Sequence, residues 1–65
     1  MTNKKEKILL AAEELFAEKG FEGTSVRELA KKASINIAMI SYYFGSKEKL
    51  FESLVDFRTS YIREK

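Results

Sequence analysis

Three glycines, at positions 20, 23 and 45, fall between the stretches of helical periodicity rather than inside them, and the 65-residue chain has no proline. Breakers placed in this way divide a sequence into helices joined by short turns. In the first segment Ile8, Leu9, Ala12, Leu15 and Phe16 recur at the spacing of one helical face, which predicts a helix over about 3–19. Asn3, with Glu6 three residues on, can cap its start, and Gly20 after Lys19 is expected as a left-handed stop. Ser25 and Glu28 then form a capping-box pattern ahead of Val26, Leu29, Ala30 and Ala33, which predicts a second, short helix over about 25–33. Positions 34–36 interrupt the pattern with one candidate for burial, Ile35. A third helix is expected over about 36–43, ended by Gly45. Ser46 can cap a fourth over about 46–64, with Glu48 in its positive first turn and an apolar stripe of Leu50, Leu54, Phe57 and Tyr61. The expected fold is all-α: a three-helix bundle followed by a connecting helix.

A chain this short buries only about 60% of the surface its unfolded state exposes. Small folds usually compensate with disulfides or a structural metal, but with no cysteine and no histidine this one can form neither a disulfide nor a zinc site. Helix packing must carry the stability. The same absence removes thiol and imidazole chemistry, and the remaining carboxylates, lysines and hydroxyls converge on no recognisable constellation. Neither an enzyme nor a cofactor is expected. No apolar run approaches the roughly 18 residues that span a bilayer, and the basic start at Lys4, Lys5 and Lys7 leads into a helix rich in glutamate, unlike a signal peptide. A soluble, cytoplasmic protein without membrane contact is expected.

The formal net charge of +2 is too small to imply a nucleic-acid partner by itself. Its distribution says more. Between Ser25 and Lys47 the charged residues are Arg27, Lys31, Lys32 and Lys47 against Glu28 alone, while acidity gathers on Glu13, Glu14, Glu18, Glu22, Glu48, Glu52 and Asp56. Two short helices joined by a three-residue turn, with small Ala30 at the close approach and Ile35 and Ile40 filling the corner, meet the requirements of a helix-turn-helix. Small helical bundles without DNA-binding activity share that pattern, so alone it is only moderately specific.

The runs EELFAEKGFEGTSVRELAKKA and SYYFGSKEKLF sharpen it: they strongly resemble the N-terminal domain of TetR-family regulators, with similarity from Ile8 to Leu54. The resemblance implies sequence-specific binding of double-stranded DNA by a bacterial transcriptional regulator, a repressor released by a small ligand, although activators share the fold. It further implies a helix-turn-helix domain over 1–45 and a connecting helix over 46–65. That helix would lead to a ligand-binding and dimerisation domain absent from this chain. The expected partners are a palindromic operator, a second copy in the full-length protein and a small-molecule effector. A line of Phe51, Val55 and Ile62 widens the fourth helix's apolar surface beyond a three-helix core, as for a docking surface in a chain that continues.

Docking physics assigns roles consistent with that resemblance. The second helix begins beside Thr24 and Ser25, so its open N–H groups can hold a phosphate, both hydroxyls can add hydrogen bonds, and Arg27 stands just inside. Ser25 can serve as helix cap and phosphate contact together. The third helix is the expected recognition helix, with Asn36, Ile37, Ala38, Met39, Ser41 and Tyr42 as base-facing candidates. By resemblance, Tyr43 and Lys47 hold the positions that grip phosphates. Ile40 and Phe44 supply the inward face, so at least one of Tyr42 and Tyr43 must point outward. Ile37 or Met39 can alternatively pack back against the scaffold, and Lys47 can be a solvated surface charge.

Two positions depart from the family pattern. Ser34 stands where such turns usually carry glycine; a left-handed backbone costs a non-glycine residue roughly 1 kcal/mol, so a slightly rearranged turn is expected. Ser41 stands where the family commonly has tyrosine, and no arginine is available on this helix to read guanine. Discrimination is expected from thymine-methyl contacts by Ile37, Ala38 or Met39, from hydrogen bonds by Asn36, Ser41 or Tyr42, and from DNA shape. The competing reading is a helical protein-interaction module that uses the apolar face of the fourth helix and binds no DNA.

Overall fold

The structure, a computed structural model, describes residues 3–63, and the side chains of residues 3–59. Four helices follow in order: α1 (Lys4–Lys19), α2 (Val26–Ala33), α3 (Ile37–Tyr43) and α4 (Lys47–Arg63). Each begins one residue after the side chain that caps it. The Asn3 side chain accepts from the Glu6 N–H, Ser25 from Glu28, Asn36 from Ala38, and the Ser46 hydroxyl from Lys49. At α2 the box is reciprocal, because the Glu28 carboxylate also accepts from the Ser25 N–H at 3.0 Å. Two of the N–H groups that a helix start leaves open are thereby satisfied.

α1 packs against α2 and α4, and α2 against α3. One apolar cluster joins them: Ile8, Leu9, Ala11, Ala12 and Leu15 from α1, Leu29, Ala30 and Ala33 from α2, Ile40 and Phe44 at α3, and Leu50 and Leu54 from α4. Ala11 extends the expected face of α1, while Phe16 is only half-buried at its edge. The first half of α4 therefore shares the core of the other three helices. The predicted stripe on α4 holds at Leu50, Leu54 and partly buried Phe57, and Phe51 and Val55 stay 42% and 47% exposed. The expectations at Tyr61, Ile62 and the end of α4 beyond Arg63 lie outside what is described.

Two turns depart from expectation. Gly20 has a positive φ of 81° but an extended ψ of 164°, a region open almost only to glycine, so it turns the chain out of α1 without forming a left-handed cap. Ser34 does the reverse. Its φ of 60° and ψ of 44° keep the left-handed geometry expected of glycine, and the turn is not rearranged. The Ser34 N–H donates to the Lys31 carbonyl and the Ile35 N–H to the Ala30 carbonyl at 3.0 Å, which closes a Schellman cap with half-buried Ile35 as its apolar follower. Satisfied carbonyls and a half-buried isoleucine offset the strain on one serine.

Candidate nucleic-acid interface

α3 makes one full turn of outward surface. Ile40 is buried on its inner side and Phe44 follows it inward, so Ile37, Ala38, Ser41 and Tyr42, at the complementary helical positions, face solvent. Tyr42 is 82% exposed. Tyr43 lies at the edge of this surface, and its ring meets that of Tyr42 edge-on with centroids 5.4 Å apart. Met39 is half-buried on the flank, between reading outward and packing back. Asn36 spends its side-chain oxygen on the Ala38 N–H at 2.8 Å, which leaves its amide NH2 as a donor. The six side chains predicted to face bases thus occupy one end and one side of a single short helix.

The N-terminus of α2 is the second element of the site. With the Glu28 N–H held by the Ser25 hydroxyl at 3.1 Å, the open donors of this helix start are the N–H groups of Val26 and Arg27. Arg27 is exposed and belongs to none of the ion pairs among the described residues. Lys19 at the end of α1 pairs with Glu28, so the capping carboxylate does not stand at the helix start as an uncompensated negative charge. That hydrogen bond from Lys19, then the one from the Ser25 N–H, holds the Glu28 carboxyl below its usual range; Glu28 in turn raises Lys19.

Thr24 and Lys47, both expected as phosphate contacts, also make contacts within the fold. The Thr24 side chain is 1% exposed, and its hydroxyl donates to the Gly20 carbonyl at 2.8 Å and lies 3.3 Å from that of Leu15. It fastens the α1–α2 turn to the end of α1. Lys47 is half-buried and turned inward. Its ammonium donates to the carbonyls of Phe21 at 2.7 Å and Thr24 at 3.0 Å, and sits 4.3 Å from the centroid of the Phe21 ring. It is neither a solvated charge nor aimed outward from α4.

The basic middle of the chain is correspondingly thinner in space than in sequence. Lys32 pairs with Glu14 at 3.1 Å and Lys47 faces the turn, which leaves Arg27 and Lys31 as its outward cations. Folding adds a cation that sequence reasoning did not place here: Lys5, near the start of α1, lies 5.9 Å from the Phe44 ring at the end of α3. No local pattern signals that approach, since it depends on how α1 crosses the bundle. Among the described residues there is no cluster of potential metal ligands, and no helix is long and apolar enough to cross a membrane.

Comparison with known proteins places this arrangement in a family. Residues 8–54 match the model described as bacterial regulatory proteins, tetR family. The chain is 59% identical over 51 residues to the Bacillus subtilis protein named Probable HTH-type transcriptional regulator YttP, covering 78% of this chain and 25% of that one. It is 44% identical over 52 residues to the HTH-type transcriptional repressor NicS of Pseudomonas putida, covering 80% and 24%. Among solved structures, HlyIIR, a hemolysin II transcriptional regulator, superposes with a TM-score of 0.75 at 51% identity, over 78% of this chain and 28% of its own. The chain spans about a quarter of the length of these relatives. With its four-helix fold and its family match in agreement, the chain belongs to the tetR family of bacterial regulatory proteins.

Proposed function

We propose that this chain is the sequence-specific double-stranded DNA-binding unit of a cytoplasmic transcriptional repressor. The observation that carries the proposal is the outward face of α3, where Ile37, Ala38, Ser41 and Tyr42 stand exposed on a helix anchored from behind by buried Ile40. Beside it, the start of α2 offers two backbone N–H groups, the Ser25 hydroxyl and the Arg27 guanidinium to a phosphate, and Tyr43 adds a hydroxyl at the far end of α3. Thr24, Ser25, Arg27, Tyr43 and Lys47 are the backbone contacts in this reading. Asn36, Ile37, Ala38, Met39, Ser41 and Tyr42 face the bases. Residues 1–45 carry the recognition unit, and 46–65 lead toward a dimerisation and effector-binding domain in a full-length protein. The repressor assignment is supported by NicS, named as a repressor.

One helix of this length reaches only a few base pairs, and useful specificity requires two copies about one or more helical turns of DNA apart. A homodimer on a palindromic operator follows, with a small-molecule effector acting through the additional domain. Selection from a random duplex pool, using this chain dimerised by a fused leucine zipper, tests the proposal. Enrichment of a two-fold symmetric motif is expected. Binding at neither low nor moderate salt would overturn it and favour the interaction-module reading, which rests on exposed Phe51 and Val55. Replacing thymine by uracil in the selected site should weaken binding where Ile37, Ala38 or Met39 meets a methyl group; unchanged affinity removes that part.

A further inference from the structure

Lys5 is a cation placed where α1 itself gains nothing from it. It stands in the first turn of α1, where a positive charge opposes the positive end of the helix dipole. The positions one turn along, Ile8 and Leu9, are both buried in the core, and the adjacent Glu6 projects about 100° around the helix from it. Lys5 is exposed and belongs to none of the ion pairs among the described residues. Its ammonium lies 5.9 Å from the centroid of the Phe44 ring. Phe44 follows Tyr43 directly at the end of α3, and those two rings have centroids 6.3 Å apart. From Asn36 through Lys47 the chain carries no acidic residue, so that end of α3 brings Lys5 no counter-charge either.

The packing of α1 against α2 fixes where this cation stands relative to the rest of the site. Lys19 at the end of α1 pairs with Glu28 in the first turn of α2, while Lys7 near the start of α1 and Ser34 after α2 line one shallow groove. The two helices therefore run antiparallel, and the start of α2 and Lys5 lie toward opposite ends of α1, roughly 20 Å apart at 1.5 Å per residue. The major groove that a recognition helix enters is about 12 Å wide, so cations this far apart can reach beyond both of its edges. We propose that Lys5 is a phosphate contact, placed beside Tyr43 on the border of the DNA site opposite the start of α2. The proposal rests on the DNA-binding reading above and makes α1 the third helix of that site. The other use of Lys5 is structural: its apolar stem would cover the Phe44 ring while its charge stays in water. The two roles differ in what the charge does, and that difference is measurable.

The test titrates a fluorescent duplex of mixed sequence, which suffices because phosphate contacts carry no sequence information, with wild type, Lys5→Met, Lys5→Arg and Lys49→Met over a range of salt. Methionine keeps a straight apolar stem against Phe44 and removes the charge. A phosphate ligand contributes about 0.9 to the slope of log K against log salt. Lys5→Met should therefore bind more weakly with a slope shallower by about 0.9, and its deficit should shrink roughly 3.5-fold between about 50 and about 200 mM salt. Lys5→Arg and Lys49→Met, the latter at an exposed position on α4, should keep the wild-type slope. A wild-type slope in Lys5→Met would overturn the proposal whether or not affinity falls, since support of Phe44 alone changes affinity without changing the slope. The same loss of slope in Lys5→Arg or Lys49→Met would overturn it as well. If Lys5→Met does not fold by circular dichroism, acetylation of wild type decides: added duplex should slow the reaction of Lys5 and not that of Lys49, and an unslowed Lys5 would overturn the proposal. Absence of wild-type duplex binding even at low salt would remove the DNA-binding reading and this proposal with it, whereas wild-type binding with an unaltered slope in Lys5→Met removes Lys5 alone.

Discussion

Ser34 holds a left-handed backbone, φ 60° and ψ 44°, at the centre of the turn between α2 and α3. For a residue with a Cβ this conformation costs about 1 kcal/mol or slightly more, and glycine adopts it freely. Ser34→Gly should therefore raise stability by up to about 1 kcal/mol, after allowing for the flexibility glycine adds to the unfolded chain. Since 1 kcal/mol moves the midpoint of a domain this small by roughly 4–8 °C, a thermal melt followed by circular dichroism will read it. An unchanged or lowered midpoint would mean the turn relaxes in solution. The position of this turn was legible in the sequence, because a break of fixed length separates two amphipathic helices, but the conformation of Ser34 was not: a slightly rearranged turn was expected, and the left-handed geometry is kept. The fates of Thr24 and Lys47 were not legible either. A threonine beside a helix start and a lysine in a helix's first turn look alike whether they face solvent or a carbonyl, and their acceptors belong to a turn whose path local spacing does not determine.

At the scale of the element, α2 depends most on its ends. It has eight residues, too few to persist as a helix alone, and its start is held by the reciprocal pair of Ser25 and Glu28 with Lys19 behind it. Ser25→Ala should cost about 0.5–2 kcal/mol in a denaturant titration. The same group gives a pH dependence. Glu28 titrates below its usual range in the folded chain, so its contribution is fully present above the unfolded carboxylate value of about 4.3 and is lost as pH falls through the lower folded one. Glu13 behaves in the same sense through its hydrogen bond from Arg58 on α4. Lys19 has the opposite sense: its contribution is present below the ordinary lysine value of about 10.4 and is lost as pH rises through the raised folded one. Acid unfolding should accordingly be shallower in Glu28→Gln than in wild type, and a parallel loss in both chains would show the pair to be idle. The capping box was readable from two residues three apart. Its partner Lys19 belongs to another helix and became visible only once α1 and α2 were packed.

At the scale of the molecule, one core serves all four helices, and α4 contributes buried Leu50 and Leu54 to it. Leu50→Ala should cost about 2–5 kcal/mol, a large share of the roughly 3–10 kcal/mol total for a chain of this length, and should lower the melting midpoint followed by circular dichroism by about 8 °C or more. If the variant keeps the helicity and melt of wild type, α4 is an appendage rather than a wall of the core. Among the described residues, helix number, order and starts followed from periodicity and caps to within a residue or two. The outward face of α3 followed from the inward one, since Ile40 and Phe44 define its opposite side. What required the fold was the placement of charge: which cations of a basic stretch face outward, which pair with glutamates, and that Lys5 approaches the end of α3. In the proposed function the start of α2 and the outward face of α3 form one DNA-binding surface. Its most direct test is titration of the isotope-labelled chain with a short duplex carrying the selected motif, followed by amide chemical shifts. Shifts concentrated at Ser25, Arg27, Asn36, Ile37, Ala38, Ser41, Tyr42 and Tyr43 are expected. Shifts confined to Phe51, Val55 and their neighbours on α4, or no shifts at low salt, would contradict it.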